Sequence, residues 1–491
     1  MATSNKAFLA VDLGAESGRG IIGRFIDDRL QLDQIHRFST APVKVRHRLL
    51  WDVLSIHQEI KNSIAIASQQ ERQLAGMAID SWGVDFGLLT AEGDLLGAPH
   101  HYRDERTTGM FEVAFRKLPQ ERIFHLTGIQ FLEFNTLYQL LAMIEEGDST
   151  LSIAKCLLMM GELFTYFLTG ERVAEFTNAT TTQLYNPTQG AWADELLVAM
   201  RIPADILPPV VPPGTQVGCL NPLVQSELGV GRLPVYMPAV HDTASAIAAV
   251  PLSGPTSCYI SSGTWSLMGV ETDQPIITPA ALAANMTNEG GVAGKFCFLK
   301  NIMGMWLLQE CRRTWEQKAG SLDYAALQNL AEAATPLVTL INPDHADFFA
   351  PGQMPRRIAA YAERTGQPVP ADYGAMVRCI LDSLALRYKQ VLLQLQELTH
   401  RQIDTIHIVG GGSQNTLLNQ LTADATGCRV VAGPVEATAI GNILVQAMAA
   451  GVIDDLAEGR TIIRNSFGIQ VYEPQYGTAW SDAYARFLAL P

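Results

Sequence analysis

The chain has 491 residues, of which 48% are hydrophobic and 17% are charged, and its formal net charge is -14 at pH 7. This length favours two domains, and this composition excludes a chain that is mainly disordered. Because the net charge is negative and the Lys and Arg residues are scattered, we expect neither nucleic acid nor an anionic membrane as the main partner.

The cysteines and the apolar segments indicate the compartment. Seven cysteines are dispersed along the chain without a C-x-x-C pair, which is typical of a reducing compartment. The opening sequence MATSNKAFLAVDLG has no basic region followed by an apolar one, so no secretory signal is predicted. The longest apolar stretch, at residues 440–453, is interrupted by Gly, Asn and Gln and is too short to span a bilayer. We therefore expect a soluble, cytoplasmic protein.

The first part of the chain is predicted to form a small meander followed by a helix and a strand. Its β-rich runs cover residues 8–12, 19–25, 32–38 and 76–79. A glycine-containing turn joins the first two runs, which predicts a hairpin. Apolar residues at helical spacing predict a helix over residues 52–69, which Asp52 or Ser55 can cap. Early strands followed by alternating helices and strands predict a mixed sheet with helices packed on it.

The later part is predicted to repeat this arrangement. Residues 203–222 carry many Pro and Gly residues and are expected to be irregular. Residues 258–261 and 266–270 are β-rich and are joined by Ser262-Gly263-Thr264, which predicts a second hairpin. The other predicted elements are strands at 235–239, 405–409 and 428–432, helices at 242–250, 374–398 and 416–426, and a loop at 410–413. Each half thus opens with a hairpin and continues as α/β, which places a domain boundary near Val250.

The first motif with a chemical meaning is the turn D-L-G-A-E-S-G-R, at residues 12–19. Its glycines allow a ligand to approach the backbone closely, and successive N–H groups can hold phosphate oxygens. A carboxylate at Asp12 can hold hydrated Mg²⁺ beside those phosphates. Many hairpins contain the same pattern without any ligand, so this motif alone is weak.

Two further glycine segments point to phosphate and nucleotide. The turn S-S-G-T-W-S, at residues 261–266, can donate several hydrogen bonds from its hydroxyl groups to a terminal phosphate, although Ser and Thr are common in any turn. The segment I-V-G-G-G-S-Q-N, at residues 408–415, leads from a strand into a helix, an arrangement that suits nucleotide binding. It is not a P-loop, because no Gly-Lys-Ser/Thr follows, and Asn415 replaces the last Gly of G-x-G-x-x-G.

The fourth motif is V-H-D-T-A-S, at residues 240–245, where a strand is predicted to meet a helix. A carboxylate at Asp242 can accept the proton of a sugar hydroxyl, since phosphoryl transfer otherwise requires mainly alignment and charge stabilisation. The alternative is structural, because Asp242 is also a good N-cap for the helix that follows. Similarly, Trp82 and Tyr102 can line a sugar site or simply pack in the core.

These four motifs, in this order, resemble those of the FGGY carbohydrate kinases of the actin-like, hexokinase-like (ribonuclease H-like) ATPase superfamily. Segments such as WGVDF, TNATTTQL, HDTASA, SSGTWSLMG, NEGG and HIVGGGSQNTLLNQL extend the resemblance from residue 10 to about residue 450. They are most similar to family members that phosphorylate L-rhamnulose. The resemblance implies an α/β fold with two domains, 1–250 for the sugar and 251–491 for the nucleotide, and an active-site cleft between them.

The resemblance also implies roles for individual residues. Asp242 would be the general base for the 1-hydroxyl of the ketose, and Asp12 would hold Mg²⁺ through water. The residues implied for ATP are Ala15, Glu16, Ser17, Gly18, Arg19, Thr264, Gln309 and Gly411. Those implied for the ketose are Gly83, His241, Asp242, Thr243 and Asn301. The products would be L-rhamnulose 1-phosphate and ADP, in L-rhamnose catabolism, and the enzyme would be a monomer or a small homo-oligomer.

One residue departs from the pattern of the wider family, which often has hydroxyl residues in the first turn. A carboxylate at Glu16 would repel a triphosphate by about 1 kcal/mol in a solvated setting, so we expect its side chain to point away, or toward Arg19 or the sugar. The sequence leaves three alternatives open: a kinase of L-fuculose or D-xylulose, a non-catalytic actin-like ATPase, and a dinucleotide-dependent oxidoreductase. The last is disfavoured by the missing final Gly of the glycine segment.

Overall fold

The structure, a computed structural model, describes residues 6–252, 254–320, 322–475 and 477–491. Its contacts divide the chain into two units. The first unit contains the chain up to Pro251 together with Glu271–Phe298 and Ala437–Ser466. The second unit contains Leu252–Val270, Leu299–Glu436 and Phe467–Pro491. Segments from the later part of the chain therefore return to the first unit.

The strands of the described chain are numbered in chain order. Those up to Tyr236 are β1 (Ala7–Leu13), β2 (Ser17–Ile26), β3 (Arg29–Ser39), β4 (Val43–Val45), β5 (Arg48–Leu50), β6 (Leu74–Ser81), β7 (Phe86–Leu89), β8 (Cys156–Met159), β9 (Ala174–Glu175), β10 (Tyr185–Asn186), β11 (Ala191–Trp192), β12 (Val210–Val211), β13 (Gln216–Cys219) and β14 (Pro234–Tyr236). The later strands are β15 (Ser257–Ser262), β16 (Trp265–Thr272), β17 (Thr287–Gly290), β18 (Phe296–Met303), β19 (Thr405–Val409), β20 (Arg429–Ala432) and β21 (Gln470–Tyr472).

The helices are numbered in the same way. Those up to Ala248 are α1 (Val53–Gln70), α2 (Met110–Lys117), α3 (Gln120–Thr127), α4 (Thr136–Glu146), α5 (Thr150–Ile153), α6 (Met160–Thr169), α7 (Phe176–Thr181), α8 (Asp194–Met200), α9 (Pro222–Leu228) and α10 (Asp242–Ala248). The later ones are α11 (Pro279–Ala283), α12 (Trp306–Ala319), α13 (Tyr324–Ala333), α14 (Met354–Arg364), α15 (Tyr373–Thr399), α16 (Thr416–Thr426), α17 (Ala437–Ala449), α18 (Leu456–Ser466) and α19 (Ala479–Leu488). Short 3-10 helices cover Glu105–Thr107, Ala204–Ile206, Ala346–Phe348 and Gly411–Gln414.

The main sheet of the first unit has the strand order β13-β14-β6-β1-β2-β3. Strand β1 pairs antiparallel with β2 and parallel with β6, and β6 in turn pairs parallel with β14. Because parallel strands end at the same edge of a sheet, the carboxyl ends of β1, β6 and β14 lie side by side. This edge carries the candidate active site.

Strand β1 is buried along its whole length. Successive side chains of a strand point to opposite faces, so this burial requires cover on both faces of the sheet. Leu9 of β1 shares one core with Ile56 of α1, and α17 also packs on β1 and β6. A Cβ atom at Gly23 of β2 would lie 2.5 Å from the side chain of Ile443 in α17, so glycine is what allows this helix to approach the sheet.

The second hairpin belongs to a seven-stranded sheet, in which six strands pair in the order β18-β16-β15-β19-β20-β21. Strand β15 pairs antiparallel with β16 and parallel with β19, which is the same arrangement that β1 has with β2 and β6. Helix α15 packs against α13 and α16. The prediction that each half opens with a hairpin and continues as α/β is therefore confirmed.

Local signals predicted most element positions well. Asp52 caps α1, because its side chain accepts a hydrogen bond of 3.1 Å from the backbone N–H of Ser55. The predicted helix over 416–426 coincides with α16, whose N-cap is Asn415. The prediction that residues 203–222 are irregular was wrong in part, because β12 pairs with β9 and β13 pairs with β14. These strands are short or lie at a sheet edge, where neighbouring prolines are tolerated.

Within residues 6–252, 254–320, 322–475 and 477–491, every helix falls short of the combined length and apolar character needed to cross a bilayer.

Candidate active site

Three carboxylates lie at the sheet edge where β1, β6 and β14 end. Asp12 of β1 is paired in register with Asp80 of β6. Ser81 forms a parallel bridge with His241, which brings Asp242, the first residue of α10, to the same edge. Burial raises the pKa of Asp80 well above its ordinary value, and the charges of Asp12 and Asp242 raise it further. Gathering acidic groups in a buried place is typical of functional sites.

The surroundings offset part of this negative charge. Arg19, which is paired with Asp12 across the β1–β2 hairpin, forms an ion pair with its carboxylate. Asn442 of α17 donates a hydrogen bond of 2.6 Å to Asp80, and Gln446 donates one of 2.7 Å to the amide oxygen of Asn442. The second carboxylate oxygen of Asp80, Oδ1, is buried and has no hydrogen-bond partner among the described residues.

The turn between β1 and β2 is closed by the backbone. The N–H of Gly14 donates to the carbonyl oxygen of Ser17 at 3.1 Å. A Cβ atom at Gly18 would lie 2.4 Å from the ring of Phe38, so any other residue there would displace this ring. Of the predicted phosphate-binding residues, Ala15, Ser17 and Arg19 are half-buried, Gly18 is buried and Glu16 is exposed. Exposure of Glu16 lets water screen its negative charge.

Asp242 does not cap α10, as the purely structural alternative would require. His241 holds the N-cap position, and Asp242 is the first helical residue rather than the cap. The Asp242 side chain is 31% exposed, so its carboxylate is accessible, and the hydroxyl of Thr243 donates to it at 3.3 Å. Burial raises the pKa of Asp242 to about 6, His241 opposes this rise and Asp12 adds to it. An accessible carboxylate that is ionised at neutral pH can act as a general base.

The ring of His241 lies between two carboxylates. Its Nε2 atom is 3.5 Å from Asp242 Oδ1, and its Nδ1 atom is 3.2 Å from Glu289 Oε2. Burial lowers the pKa of His241, but Glu289, Asp242 and Glu175 together outweigh burial and raise it above its ordinary value. The role of Glu289 was missed from the sequence, although the segment N-E-G-G that contains it, at residues 288–291, belongs to the resemblance.

Two buried glutamates fix the backbone of the residues that immediately precede Asp242 in the chain. The carboxylate of Glu175 accepts hydrogen bonds of 3.0 Å from the N–H groups of Thr177 and Val240. The hydroxyl oxygen of Thr177 accepts one of 3.1 Å from the N–H of His241, and Glu162 accepts one of 3.0 Å from the N–H of Glu175. Burial raises the pKa of Glu175 to about 8 and that of Glu162 to about 7. Sequence reasoning missed both, because Glu is usually an exposed residue.

The predicted ketose residue Gly83 lies in a tight turn after β6. The N–H of Asp85 donates to the carbonyl oxygen of Gly83 at 2.9 Å, and Val84 between them has a φ of 67°. A β-branched residue at positive φ is strained, and such strain concentrates at functional sites. A Cβ atom at Gly83 would lie 2.8 Å from the hydroxyl of Thr181. Helix α7, which runs from Phe176 to Thr181, therefore contacts both the Gly83 turn and the His241 backbone.

Asp85, which ends this turn, is a further buried carboxylate. Asp85 accepts hydrogen bonds from Trp51 Nε1 at 2.7 Å, Trp82 Nε1 at 3.1 Å, the N–H of Tyr102 at 3.1 Å and Gln139 Nε2 at 2.8 Å. Burial raises its pKa to about 7, although the hydrogen bonds oppose the rise. Trp82 packs on Trp51 with 4.0 Å between ring centroids and 31° between the ring planes. Trp82 and Tyr102 are buried and packed around Asp85.

In the second unit, the turn between β15 and β16 contacts the start of α12. The carbonyl oxygen of Thr264 accepts hydrogen bonds from the N–H groups of Gly304, at 3.2 Å, and Trp306, at 3.1 Å. A Cβ atom at Gly304 would lie 2.6 Å from the backbone of Trp265, so only glycine allows this approach. Gln309 lies one turn into α12. Its amide oxygen is buried and has no hydrogen-bond partner in the part of the chain that the structure describes.

The glycine segment that follows β19 packs on the same turn. Gly410 has a φ of 83°, and a Cβ atom at Gly412 would lie 2.0 Å from the hydroxyl of Ser262. A Cβ atom at Gly411, by contrast, would meet nothing within 4 Å. The structure thus brings the predicted nucleotide residues Thr264, Gln309 and Gly411 into one region of the second unit. Asn301 lies in β18 and is half-buried.

The residues present fit a nucleotide and a hydrated cation. Open space beside Gly411 leaves room for a ligand, and the unpartnered oxygen of Gln309 can accept a hydrogen bond from one. In the described ranges, no group of three or more His, Cys, Asp or Glu side chains is arranged to hold a metal ion. Mg²⁺ commonly keeps several waters and binds through one or two carboxylates and substrate phosphates, which Asp12 with a bound triphosphate can provide.

Two family models match the sequence. The N-terminal domain of the FGGY family of carbohydrate kinases matches residues 7–249, and the C-terminal domain of the same family matches residues 258–450. A rhamnulokinase of Bacteroides thetaiotaomicron is 45% identical over 480 residues, which cover 98% of each chain. A rhamnulokinase of Pectobacterium atrosepticum is 44% identical over 491 residues, which cover 99% of this chain and 96% of that one.

Solved structures share the fold at much lower identity. A gluconate kinase from Lactobacillus acidophilus matches with a TM-score of 0.81 and 16% identity, over 99% of this chain and 96% of its own. A glycerol kinase from Plasmodium falciparum, solved with ADP, matches with a TM-score of 0.76 and 13% identity, over 99% and 98%. At such identities the likeness establishes the fold alone, and it confirms the expected two-domain α/β architecture.

Proposed function

Because the chain belongs to the FGGY family of carbohydrate kinases, we propose that it transfers the γ-phosphoryl group of ATP to the 1-hydroxyl of L-rhamnulose. The products are L-rhamnulose 1-phosphate and ADP, and the reaction serves L-rhamnose catabolism. The choice of sugar is supported by the high identity to two rhamnulokinases over nearly the whole chain. The observation that carries the chemistry is the accessible carboxylate of Asp242 among buried acidic groups.

Asp242 is the general base in this proposal. It takes the proton of the sugar hydroxyl while the hydroxyl oxygen bonds to the γ-phosphorus and the bond to the β-phosphate oxygen breaks, which releases ADP. Its pKa of about 6 leaves it ionised at neutral pH and close enough to that pH to accept a proton efficiently. Proton transfer of this kind contributes about 10²–10⁴-fold to the rate.

The remaining site residues are assigned by the same family pattern. Gly83, His241, Thr243 and Asn301 contact the ketose, with Gly83 and His241 held in place by α7. The ATP contacts are assigned to Ala15, Glu16, Ser17, Gly18, Arg19, Thr264, Gln309 and Gly411. Asp12 holds Mg²⁺ through water, and the ion when bound neutralises charge on the phosphates.

We also propose that the protein is cytoplasmic and acts as a monomer or a small homo-oligomer. The seven dispersed cysteines, which form no disulfide within the described ranges, suit a reducing compartment. Cell fractionation and light scattering on the purified protein test these two points.

A panel of ketoses tests the function. The purified protein is given ATP and Mg²⁺ with L-rhamnulose, L-fuculose, D-xylulose or no sugar, and ADP is measured by a coupled assay. We expect the highest kcat/KM with L-rhamnulose, by about 10–200-fold over sugars that differ by one pocket contact. A higher value with another ketose would change the substrate, and equal ADP release without sugar would indicate an ATPase that needs no ketose.

The variant Asp242→Asn supplies the matched control, since it keeps the shape of the side chain and removes the base. It should bind ATP as the wild type does and lose nearly all sugar-dependent ADP formation. Near-normal turnover of this variant would show that Asp242 is not the base.

A further inference from the structure

Glu289 contacts the residue next to the base and is not among the residues to which the resemblance assigns a role. Its Oε2 atom lies 3.2 Å from His241 Nδ1, while Nε2 of the same ring lies 3.5 Å from Asp242 Oδ1. The side chains of His241 and Glu289 are only 10% and 7% exposed. The imidazole is therefore held in a nearly dry environment between a structural carboxylate and the catalytic one, where charges interact more strongly than in water.

The backbone on both sides of this contact is fixed. Glu289 belongs to β17, and the N–H of the next residue, Gly290, donates to the hydroxyl of Thr180 at 2.8 Å. A Cβ atom at Gly290 would lie 2.8 Å from the ring of Phe176, so β17 approaches α7 closely. His241 is tied to the same helix through the hydroxyl of Thr177. Helix α7 thus contacts the backbone at Gly290, next to Glu289, and at His241, and fixes the two side chains relative to each other.

The charges around His241 come from several elements. The charges that act on His241 itself are those of Glu289 in β17, Asp242 in α10 and Glu175 at the end of β9. Asp12 in β1 acts on Asp242, and Asp80 in β6 is affected by both. Glu175 accepts backbone hydrogen bonds, Asp12 pairs with the cation Arg19 of β2, and Asp80 accepts a hydrogen bond from Asn442. Glu289 Oε2 lies 3.2 Å from Nδ1 of His241, whereas Asp242 lies near Nε2 of the same ring.

We propose that Glu289 is a positioning residue for the proposed kinase reaction: it keeps His241 protonated and oriented toward Asp242, so that the base stays ionised. The direction of the effect follows from the surroundings. Burial favours the neutral imidazole and Glu289 opposes this, and the positive ring in turn lowers the pKa of Asp242. Without Glu289, His241 would lose its proton over a pH range in which the wild type keeps it, and Asp242 would take up a proton at higher pH.

The test uses Glu289→Gln, which keeps the size of the side chain and removes its charge. In a plot of kcat/KM for the ketose against pH, activity falls at low pH where Asp242 takes up a proton. We expect the midpoint of this fall to lie about one pH unit higher in the variant, because a nearby opposite charge shifts a pKa by about 1–3 units. At pH values below this midpoint, the variant should be about tenfold less active than the wild type. Above pH 8 the difference should be much smaller, and the KM for ATP should be unchanged. A role limited to folding would reduce activity equally at every pH.

Two variants complete the design. Glu289→Asp keeps the charge and should keep this midpoint near its wild-type position. Glu59→Gln is the matched control, because Glu59 faces His36 at 2.7 Å in the same unit but far along the chain from the base, and it should leave the profile unchanged. An unmoved midpoint in Glu289→Gln, or an equal loss at all pH values, would overturn the proposal.

A measurement independent of activity separates this inference from the proposed function. Histidine labelled with ¹³C in the ring is titrated by NMR, and the His241 signal is assigned by its loss in His241→Gln. The midpoint for His241 should be lower in Glu289→Gln than in the wild type. Equal midpoints refute the role of Glu289 even if the wild type phosphorylates L-rhamnulose, whereas a shifted midpoint supports it even if the substrate is another sugar.

Discussion

The close packing of α10 on α17 predicts a large effect of a single methyl group. A Cβ atom at Gly441 of α17 would lie 1.7 Å from the carbonyl oxygen of Ser245 in α10, and this oxygen belongs to the backbone and cannot rotate away. Real Cβ contacts essentially never fall below 3.0 Å, so in Gly441→Ala the helices must separate by about 1.3 Å. Asp242 is the first residue of α10. Asn442, which donates a hydrogen bond to Asp80, directly follows Gly441 in α17. The substitution therefore displaces the base and its neighbour together.

The magnitude follows from this displacement. A misplacement of about 1 Å at a reacting group can cost about 100-fold in rate, so we expect kcat to fall by about that factor. Overpacking costs about 1–3 kcal/mol, while Ala in a helix regains about 1 kcal/mol over Gly. The free energy of unfolding should therefore fall by about 0–2 kcal/mol.

Turnover with the ketose and thermal unfolding measure the two effects. Gly459→Ala in the neighbouring helix α18 is the control, because a Cβ atom there would lie 3.3 Å from the flexible ends of Ile453 and Leu444. This control should keep wild-type activity and be as stable as the wild type or more so. Wild-type kcat in Gly441→Ala would refute the argument that this contact places Asp242.

Other predictions follow from single side chains. Activity of the wild type should fall as the pH drops through about 6, since Asp242 then takes up a proton and can no longer accept one from the sugar; a kcat/KM profile that is flat down to pH 5 would contradict this. Gln309→Leu should raise the KM for ATP by about tenfold, the equivalent of one hydrogen bond of about 1.4 kcal/mol, and leave stability unchanged or higher, because a buried unpartnered oxygen is removed; an unchanged KM for ATP would remove Gln309 from the nucleotide site. Asp80→Asn should unfold at nearly the same temperature as the wild type, since burial favours the uncharged form of Asp80 and an amide is uncharged and has the same shape; a strongly destabilised variant would contradict this.

Much of the fold could be predicted from local patterns. The two hairpins, the cap at Asp52 and the extent of α16 depend on turn residues and on spacing within a few residues. The short strand β12 was missed because it is held by pairing with β9, more than 30 residues earlier in the chain. The functional division into 1–250 for the sugar and 251–491 for the nucleotide stays a prediction.

The candidate site was predicted only where a motif marked it. Asp12 and Asp242 stand out in the sequence because each joins a strand to a turn or helix within a distinctive motif. Asp80 and Glu175 lie outside the quoted motifs, and although Asp85 lies in WGVDF and Glu289 in N-E-G-G, nothing local marks any of these four carboxylates as buried, since a carboxylate in the sequence is ordinarily a surface residue. Only the fold shows that they are buried.

The sequence by itself determined the order of hairpins, the glycine turns and the residues at strand ends, because these follow from interactions between near neighbours. The tertiary structure decided that the segments Glu271–Phe298 and Ala437–Ser466 join the first unit. Asn442, for example, reaches Asp80 across 362 residues of chain. Burial and the electrostatic coupling of carboxylates arise from such distant contacts, which exist only once the sheet has brought the strand ends together.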